Sequence, residues 1–295
     1  MSKVRGGTAR PIRLCDSARK RLSRHAIEVF QSLDLQRDPA DTTSPEALRA
    51  LLEQRHLPVH EAALDLEALA GGTPIPPDRH LGVFAALRSL EGGRGRPLGP
   101  EKLPRAEGQV LLPVIPRAHP ALWIGASGAL YLVDTETFGV VPAFDDPVQY
   151  LEALAILLET EPDPSPSARQ PWHYLGIAGR VGAALASELD IPEFPPASGT
   201  HGGAWIREHL HLIEQNTTGL AVDTQATTTD PDEAVALLRA ALAMNVEVRW
   251  SGPEHRPPAG QRPILAFSFS MGRNGPGREV AVYGGPGHYR FATRR

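Results

Sequence analysis

The sequence contains a single cysteine, Cys15, among 295 residues. One cysteine can form neither an intramolecular disulfide nor a cysteine-rich zinc site, which indicates a reducing, cytoplasmic setting. No apolar run approaches the ~20 residues that a membrane-spanning helix needs. The N-terminus has no apolar stretch typical of a secretory signal. These absences predict a cytoplasmic protein that has no membrane partner.

A strong charge of one sign is also missing. The formal net charge is -4, so the whole chain has no strong attraction for nucleic acid or membranes, and we expect no direct contact with nucleic acid. Basic residues are concentrated in positions 1–24, which hold one acidic residue, Asp16. Since no aromatic residues are interleaved for base stacking, a solvated tail is the preferred interpretation over a nucleic-acid-binding arm.

The length favours two domains, because one domain usually has ~100–150 residues. Residues 161–171 (EPDPSPSARQP), like Thr160 before them, have the composition of a linker. We therefore predict a basic flexible tail (1–19), a first domain (20–160), this linker, and a second, smaller domain (172–295). Helical and strand patterns occur in both halves, which predicts an α+β fold class.

Two helices are predicted early in the first domain. Ser44-Pro45-Glu46 is a typical helix start, with a capping serine, a proline in the first turn and an acidic residue near the positive end. Leu57-Pro58 breaks that helix, and a second one begins near Val59. Gly71 is expected to take the left-handed conformation that closes its last turn. Because glycines that bind phosphate precede a helix, this order excludes a nucleotide loop here.

Four short strands are predicted at 109–115, 121–126, 129–135 and 138–144, and their short spacing favours an antiparallel meander. The run PVQYLEALAILLE follows as a helix, and a further helix is predicted near 78–90. In the second half we predict helices at 172–189 and 230–245. The predicted strands of that half lie at 209–214, 218–223, 246–250, 263–270, 279–283 and 288–292.

Residues 20–160 resemble the SUKH superfamily, which contains immunity proteins of bacterial polymorphic toxin systems. SPEALRALLEQRHLPVHEAALDLEALAGG is similar to the family's N-terminal helix pair, with its hydrophobic-proline step and terminal Gly-Gly. ALWIGASGALYLVDTETFGVV is similar to its meander, and PVQYLEALAILLE to its closing helix. The resemblance departs from the pattern in the long insert before the first strand, and it leaves 172–295 unexplained. It implies a toxin-binding protein, not an enzyme.

Acidic residues flank the predicted meander. Asp134 and Glu136 lie at one predicted turn, and Asp145 and Asp146 follow the last strand. Together they are expected to form an acidic patch at one end of the sheet, suited to the basic cleft of a nuclease toxin. They are also typical turn residues, with Asp146 a helix cap before Pro147. We add Trp123 as a candidate partner-binding residue, because tryptophans dominate binding hot spots.

A weaker hypothesis places a metal site in the second domain. His209 and His211 are two residues apart and would share one face of a strand, where two imidazoles with a carboxylate can hold a divalent ion. The alternative is that both rings face solvent or lie at a domain seam. We predict no catalytic residues and no cofactor, and the favoured function is neutralisation of a cognate toxin. A metal-dependent enzyme in 172–295 and a regulatory or scaffold module remain alternatives.

Overall fold

A computed structural model describes residues 16–32, 38–75, 79–91, 99–115, 121–134, 139–160, 172–215, 223–270 and 277–294. The chain divides into two compact units, residues 1–155 and 156–295. Both combine helices with antiparallel sheets, which confirms the predicted α+β class. Most of the predicted tail (1–15) and the whole predicted linker (161–171) lie outside the described residues. Within the ranges described, every helix is too short or too polar to cross a membrane.

The first unit begins with four helices: α1 (Asp16–Arg21), α2 (Arg24–Ser32), α3 (Pro45–Gln54) and α4 (Glu61–Ala70). The start of α3 is as predicted, since the Ser44 side chain accepts from the Ala47 N–H. A small hairpin of β1 (Thr73–Ile75) and β2 (Arg79–Leu81) follows, and then α5 (Val83–Glu91). The helix predicted near 78–90 therefore starts later, because its first residues form a strand.

The meander is present as β5 (Leu112–Ile115), β6 (Ala121–Ile124), β7 (Leu130–Val133) and β8 (Val140–Phe144), paired in that order and antiparallel. The strand predicted at 109–115 is two strands, because β4 (Gln109–Val110) pairs instead with β3 (Arg105–Ala106). Helix α6 (Pro147–Thr160) follows the sheet, where a helix was predicted.

Two glutamates of the first unit are fully buried, and each accepts from a backbone N–H at the start of a helix elsewhere in the chain. Glu67 on α4 accepts from Phe84 in the first turn of α5, with an N···O distance of 3.2 Å. Glu152 on α6 accepts from the N–H and the hydroxyl of Ser23, just before α2. A carboxylate stabilises the positive end of a helix, so each contact joins two distant elements.

The glycines that end α4 differ from the prediction. Gly71 has ordinary dihedral angles, φ -55° and ψ 135°, and Gly72 is the left-handed residue, with φ +75°. Gly71 is instead required by space, because a Cβ atom there would lie 2.7 Å from the Glu67 carbonyl oxygen and against its carboxylate. Gly82 borders the same carboxylate from the other side. The Gly-Gly pair therefore accommodates Glu67 as well as ending the helix.

In the second unit, a five-stranded sheet has the order β10-β11-β12-β9-β13. Its strands are β9 (His173–Ile177), β10 (Gly202–Arg207), β11 (Leu210–Gln215), β12 (Thr224–Thr228) and β13 (Val248–Ser251). Helices α7 (Gly182–Glu188) and α8 (Pro231–Ala243) share its hydrophobic core. A second sheet contains β14 (Leu265–Ser270), β15 (Gly277–Tyr283) and β16 (Arg290–Arg294), in that order.

The helix predicted at 172–189 is wrong. Its first third is β9, a central strand, and only Gly182–Glu188 is helical. Gly176 and Gly179 interrupt the helical pattern, and the apolar residues Leu175 and Ile177 alternate as a strand requires. The helix at 230–245 is confirmed, with Asp230 accepting from the Asp232 N–H as its cap. Strand β10 was not predicted, and most of the strand predicted at 218–223 lies outside the described residues.

The packing around Glu67 predicts that Gly71→Ala destabilises the first unit. Its dihedral angles suit alanine, so the effect comes from the added Cβ atom, which meets both the buried carboxylate and the carbonyl oxygen of Glu67. We expect a loss of about 2–4 kcal/mol in the free energy of unfolding, measured by urea denaturation. Gly277→Ala is the matched control, because no atom lies within 4 Å of the added Cβ. Equal stability of both variants would contradict this packing.

Candidate functional site

The acidic residues predicted to form one patch lie at opposite ends of the meander. Asp134 follows β7 and pairs through its N–H with the Gly139 carbonyl, whereas Asp145 and Asp146 follow β8. Because β8 runs antiparallel to β7, its five residues separate the two sites by about 17 Å at ~3.3 Å per residue. The predicted single patch is therefore wrong. Glu136 lies outside the described residues.

A third acidic residue, Glu107, which the sequence pattern did not single out, lies near Tyr131 on β7, the strand that pairs with β8. Burial and, secondly, the nearby Glu107 carboxylate raise the pKa of the Tyr131 phenol, which is hydrogen-bonded to Ser127. Ser127 is followed by Gly128, which lies close to the start of α6: a Cβ atom added at Gly128 would be 3.9 Å from Pro147, the first residue of that helix. We call Glu107, Asp145 and Asp146 the acidic end.

Two residues of the acidic end are exposed, and the third is half-buried. Glu107 and Asp146 are the exposed ones, and Asp145 is the half-buried one. Asp146 also caps α6, as predicted, since its Oδ1 accepts from the N–H groups of Val148 (2.7 Å) and Gln149 (2.9 Å). The side chain of Gln149 in turn accepts from the Asp145 N–H. This reciprocal pairing fixes the position of both aspartates relative to the sheet.

Trp123 belongs to the core, with 8% of its surface exposed. It stands in a row of cross-strand neighbours that also contains Pro113, Tyr131 and Pro142. Its indole N–H finds no acceptor within the described ranges. The side chain therefore cannot serve as an exposed anchor without a rearrangement of the fold.

The two histidines proposed as metal ligands do not share a strand face. His209 is exposed in the turn between β10 and β11, whereas His211 is 3% exposed inside β11. The His211 ring packs beside Trp172, and its Nε2 lies 3.7 Å from Glu159 Oε2. The backbone at Glu208, with φ +46°, turns the chain between the two histidines. This arrangement does not favour a metal site formed by these two histidines.

Elsewhere in the described part of the chain, one group has spacing that could suit a metal ion: Asp38, Asp41 and His80. Asp41 is already engaged, because His80 Nδ1 lies 2.8 Å from one of its oxygens and Arg88 lies 3.1 Å from the other. Arg88 also donates to the Ala40 carbonyl. A guanidinium on the same carboxylate opposes a second cation, so the group is best explained as an ion-pair network.

A glycine loop joins β9 to α7, the order in which a phosphate loop would occur. Its amide groups, however, are satisfied by side chains of the same unit. Gly179 donates to Asp223 (3.1 Å), Val181 to Thr224 (3.2 Å) and Gly182 to Glu214 (2.7 Å). Since Glu214 already supplies a buried carboxylate, which Arg180 also contacts at 2.9 Å, the loop is filled by the protein's own groups.

His173 is a buried imidazole in the second unit, with 3% of its surface exposed. The Trp250 indole N–H lies 3.2 Å from its Nδ1, and because indole only donates, Nδ1 is the unprotonated nitrogen. Phe291 packs against both rings. Desolvation, with a smaller effect from His255, lowers the pKa of His173 to about 4, although Asp230 acts in the opposite direction.

Comparison with protein-family models finds no matching family, and comparisons with curated proteins and with solved structures find no similar protein. The assignment of a function therefore depends on the residues and their geometry.

The neutral state of His173 predicts a pH-dependent stability. Unfolded histidine binds a proton near pH 6.5 and the folded residue only near pH 4, so the free energy of unfolding falls as the pH decreases through this window. The loss reaches about 3 kcal/mol at most. His173→Asn keeps an acceptor for Trp250 but cannot be protonated, so its stability should depend less on pH. An unchanged dependence would contradict the assignment.

Proposed function

We propose that this protein is a cytoplasmic immunity protein, which neutralises a cognate toxin by stoichiometric binding through its first unit. The support is the order of elements: a helix pair separated by a Leu-Pro step, a terminal Gly-Gly, a four-stranded antiparallel meander and a following helix. This order is the one in which residues 20–160 resemble SUKH proteins. The finer SUKH-like arrangement is part of the proposal.

The observation that carries the proposal is the acidic end. Glu107 and Asp146 are exposed, and the cap of α6 fixes the positions of Asp146 and the half-buried Asp145. Arg105 in the hairpin of Glu107 offsets part of this charge. Complementary potentials accelerate encounter and help to exclude wrong partners. An acidic end of this kind suits a basic surface, such as the nucleic-acid cleft of a nuclease toxin.

The roles of other carboxylates in the first unit also favour binding over catalysis. Glu67 and Glu152 accept from helix starts, and Asp41 is paired with His80 and Arg88. A general acid or base needs a carboxyl group that is available to a substrate. These groups contribute to stability instead.

The direct experiment is co-expression with the toxin encoded by the neighbouring gene. We expect the two proteins to co-purify at a one-to-one ratio and cells to survive expression of the toxin. A second arm uses an unrelated toxin, which should still kill. Survival without any complex would point to an enzymatic or regulatory role and would contradict stoichiometric binding.

The acidic end predicts a specific effect on the rate of association. Glu107→Gln with Asp146→Asn removes two charges, and asparagine still caps α6, so stability should change little. We expect association with the toxin to slow about tenfold at low salt, with a smaller difference at high salt. Surface plasmon resonance measures both rates.

The matched control for this prediction is Glu28→Gln with Glu53→Gln, which also removes two exposed charges, one from α2 and one from α3. It should leave the association rate within about twofold of the native protein. If the control slows association as much as the variant of the acidic end, the net charge of the protein determines the association rate and the acidic end has no particular role.

A further inference from the structure

The edge strands of the second unit differ in whether other parts of the chain cover their outer edges. The outer edge of β10 is covered by the preceding loop, since Phe194 donates to Ala204 (2.7 Å) and Ile206 donates to Pro192 (3.0 Å). The outer edge of β16 is met by His255, which donates to the Phe291 carbonyl at 2.7 Å. Covered edges prevent a sheet from pairing with another chain.

Strand β14 is an edge strand without such cover among the described residues. It pairs with β15 on one side, and although β13 approaches it, the two belong to different sheets. Its sequence, LAFSFS, contains no charge, proline or glycine. Lysine, proline and bulges are the usual protections of an edge. Within the described ranges, β14 therefore combines an edge that lacks hydrogen-bonded cover with a sequence that favours strand pairing.

The side chains of β14 alternate regularly between its two faces. Phe267 and Phe269 are buried on the face that joins the hydrophobic core, whereas Ala266 and Ser268 are exposed on the other face. The exposed side chains are small, so a neighbouring strand can approach closely. A partner strand would need apolar residues on one face and small residues on the other.

We propose that the edge of β14 pairs antiparallel with β14 of a second copy, which extends the three-stranded sheet across a two-fold axis. The register that places Ser268 opposite its own copy puts Phe267 opposite Phe269. Apolar residues then meet on the core face and small residues on the open face, which cross-strand packing favours. The strand is therefore complementary to itself, and a second copy supplies the required partner.

Edge pairing through six residues is a small interface, and stable dimers usually bury ~800 Å² on each partner. The dimer should therefore be concentration-dependent. Analytical ultracentrifugation over a wide range of protein concentration should show monomers that convert to dimers, without larger species. A monomer at every concentration, or growth beyond the dimer, would overturn the proposal.

A charge-swap experiment tests the register. Ser268→Lys places two lysines opposite each other at the two-fold axis and should weaken self-association by about tenfold, and Ser268→Glu should act alike. A mixture of the two variants should restore dimers, because opposite charges then face each other. Ser187→Lys adds the same charge to an exposed position on α7 and should leave self-association unchanged.

Thermal melting followed by circular dichroism distinguishes loss of strand pairing from loss of folding. Because Ser268 is exposed, its variants should melt at the same temperature as the native protein. If folded Ser268→Lys dimerises as strongly as the native protein, or the mixture fails to restore dimers, β14 is not the contact. Neither result would bear on toxin binding, which the proposal assigns to the first unit.

Discussion

Three buried glutamates hold distant parts of this chain together in the same way. Glu67, Glu152 and Glu214 each accept from a backbone N–H at or just before the start of a helix that lies far away in sequence. Burying a carboxylate is costly unless it accepts hydrogen bonds, and the positive end of a helix supplies donors together with a favourable dipole. Removing one partner would leave a buried charge, so the helices and their glutamates depend on each other.

The predictable parts of the fold are those that local chemistry determines. Ser44-Pro45 and Asp230-Pro231 mark helix starts that the structure contains, because caps act within one turn. The meander follows from apolar runs separated by short turns. The error at 172–189 arose because the apolar residues there fit both the helical and the strand periodicity. The glycines at 176 and 179 were the available signal for a strand followed by a loop.

Local sequence patterns could not predict the tertiary contacts. The Gly-Gly ends α4 as predicted, but the reason for Gly71 is a glutamate four residues earlier, whose burial no local rule specifies. Similarly, Asp134 and Asp145 are near in sequence but lie at opposite ends of antiparallel strands, whereas Glu107 comes from an earlier hairpin. Residues that are close in sequence can therefore be assigned to one candidate site only when the directions of their strands are known.

The central proposal is that the protein acts by occupying a partner and not by turning over a substrate. Titration of the toxin's activity with purified protein tests this most directly. The proposal predicts that activity falls linearly to an end point at one equivalent and does not change with longer incubation. Progressive inactivation by much less than one equivalent would show turnover and would contradict binding as the mechanism.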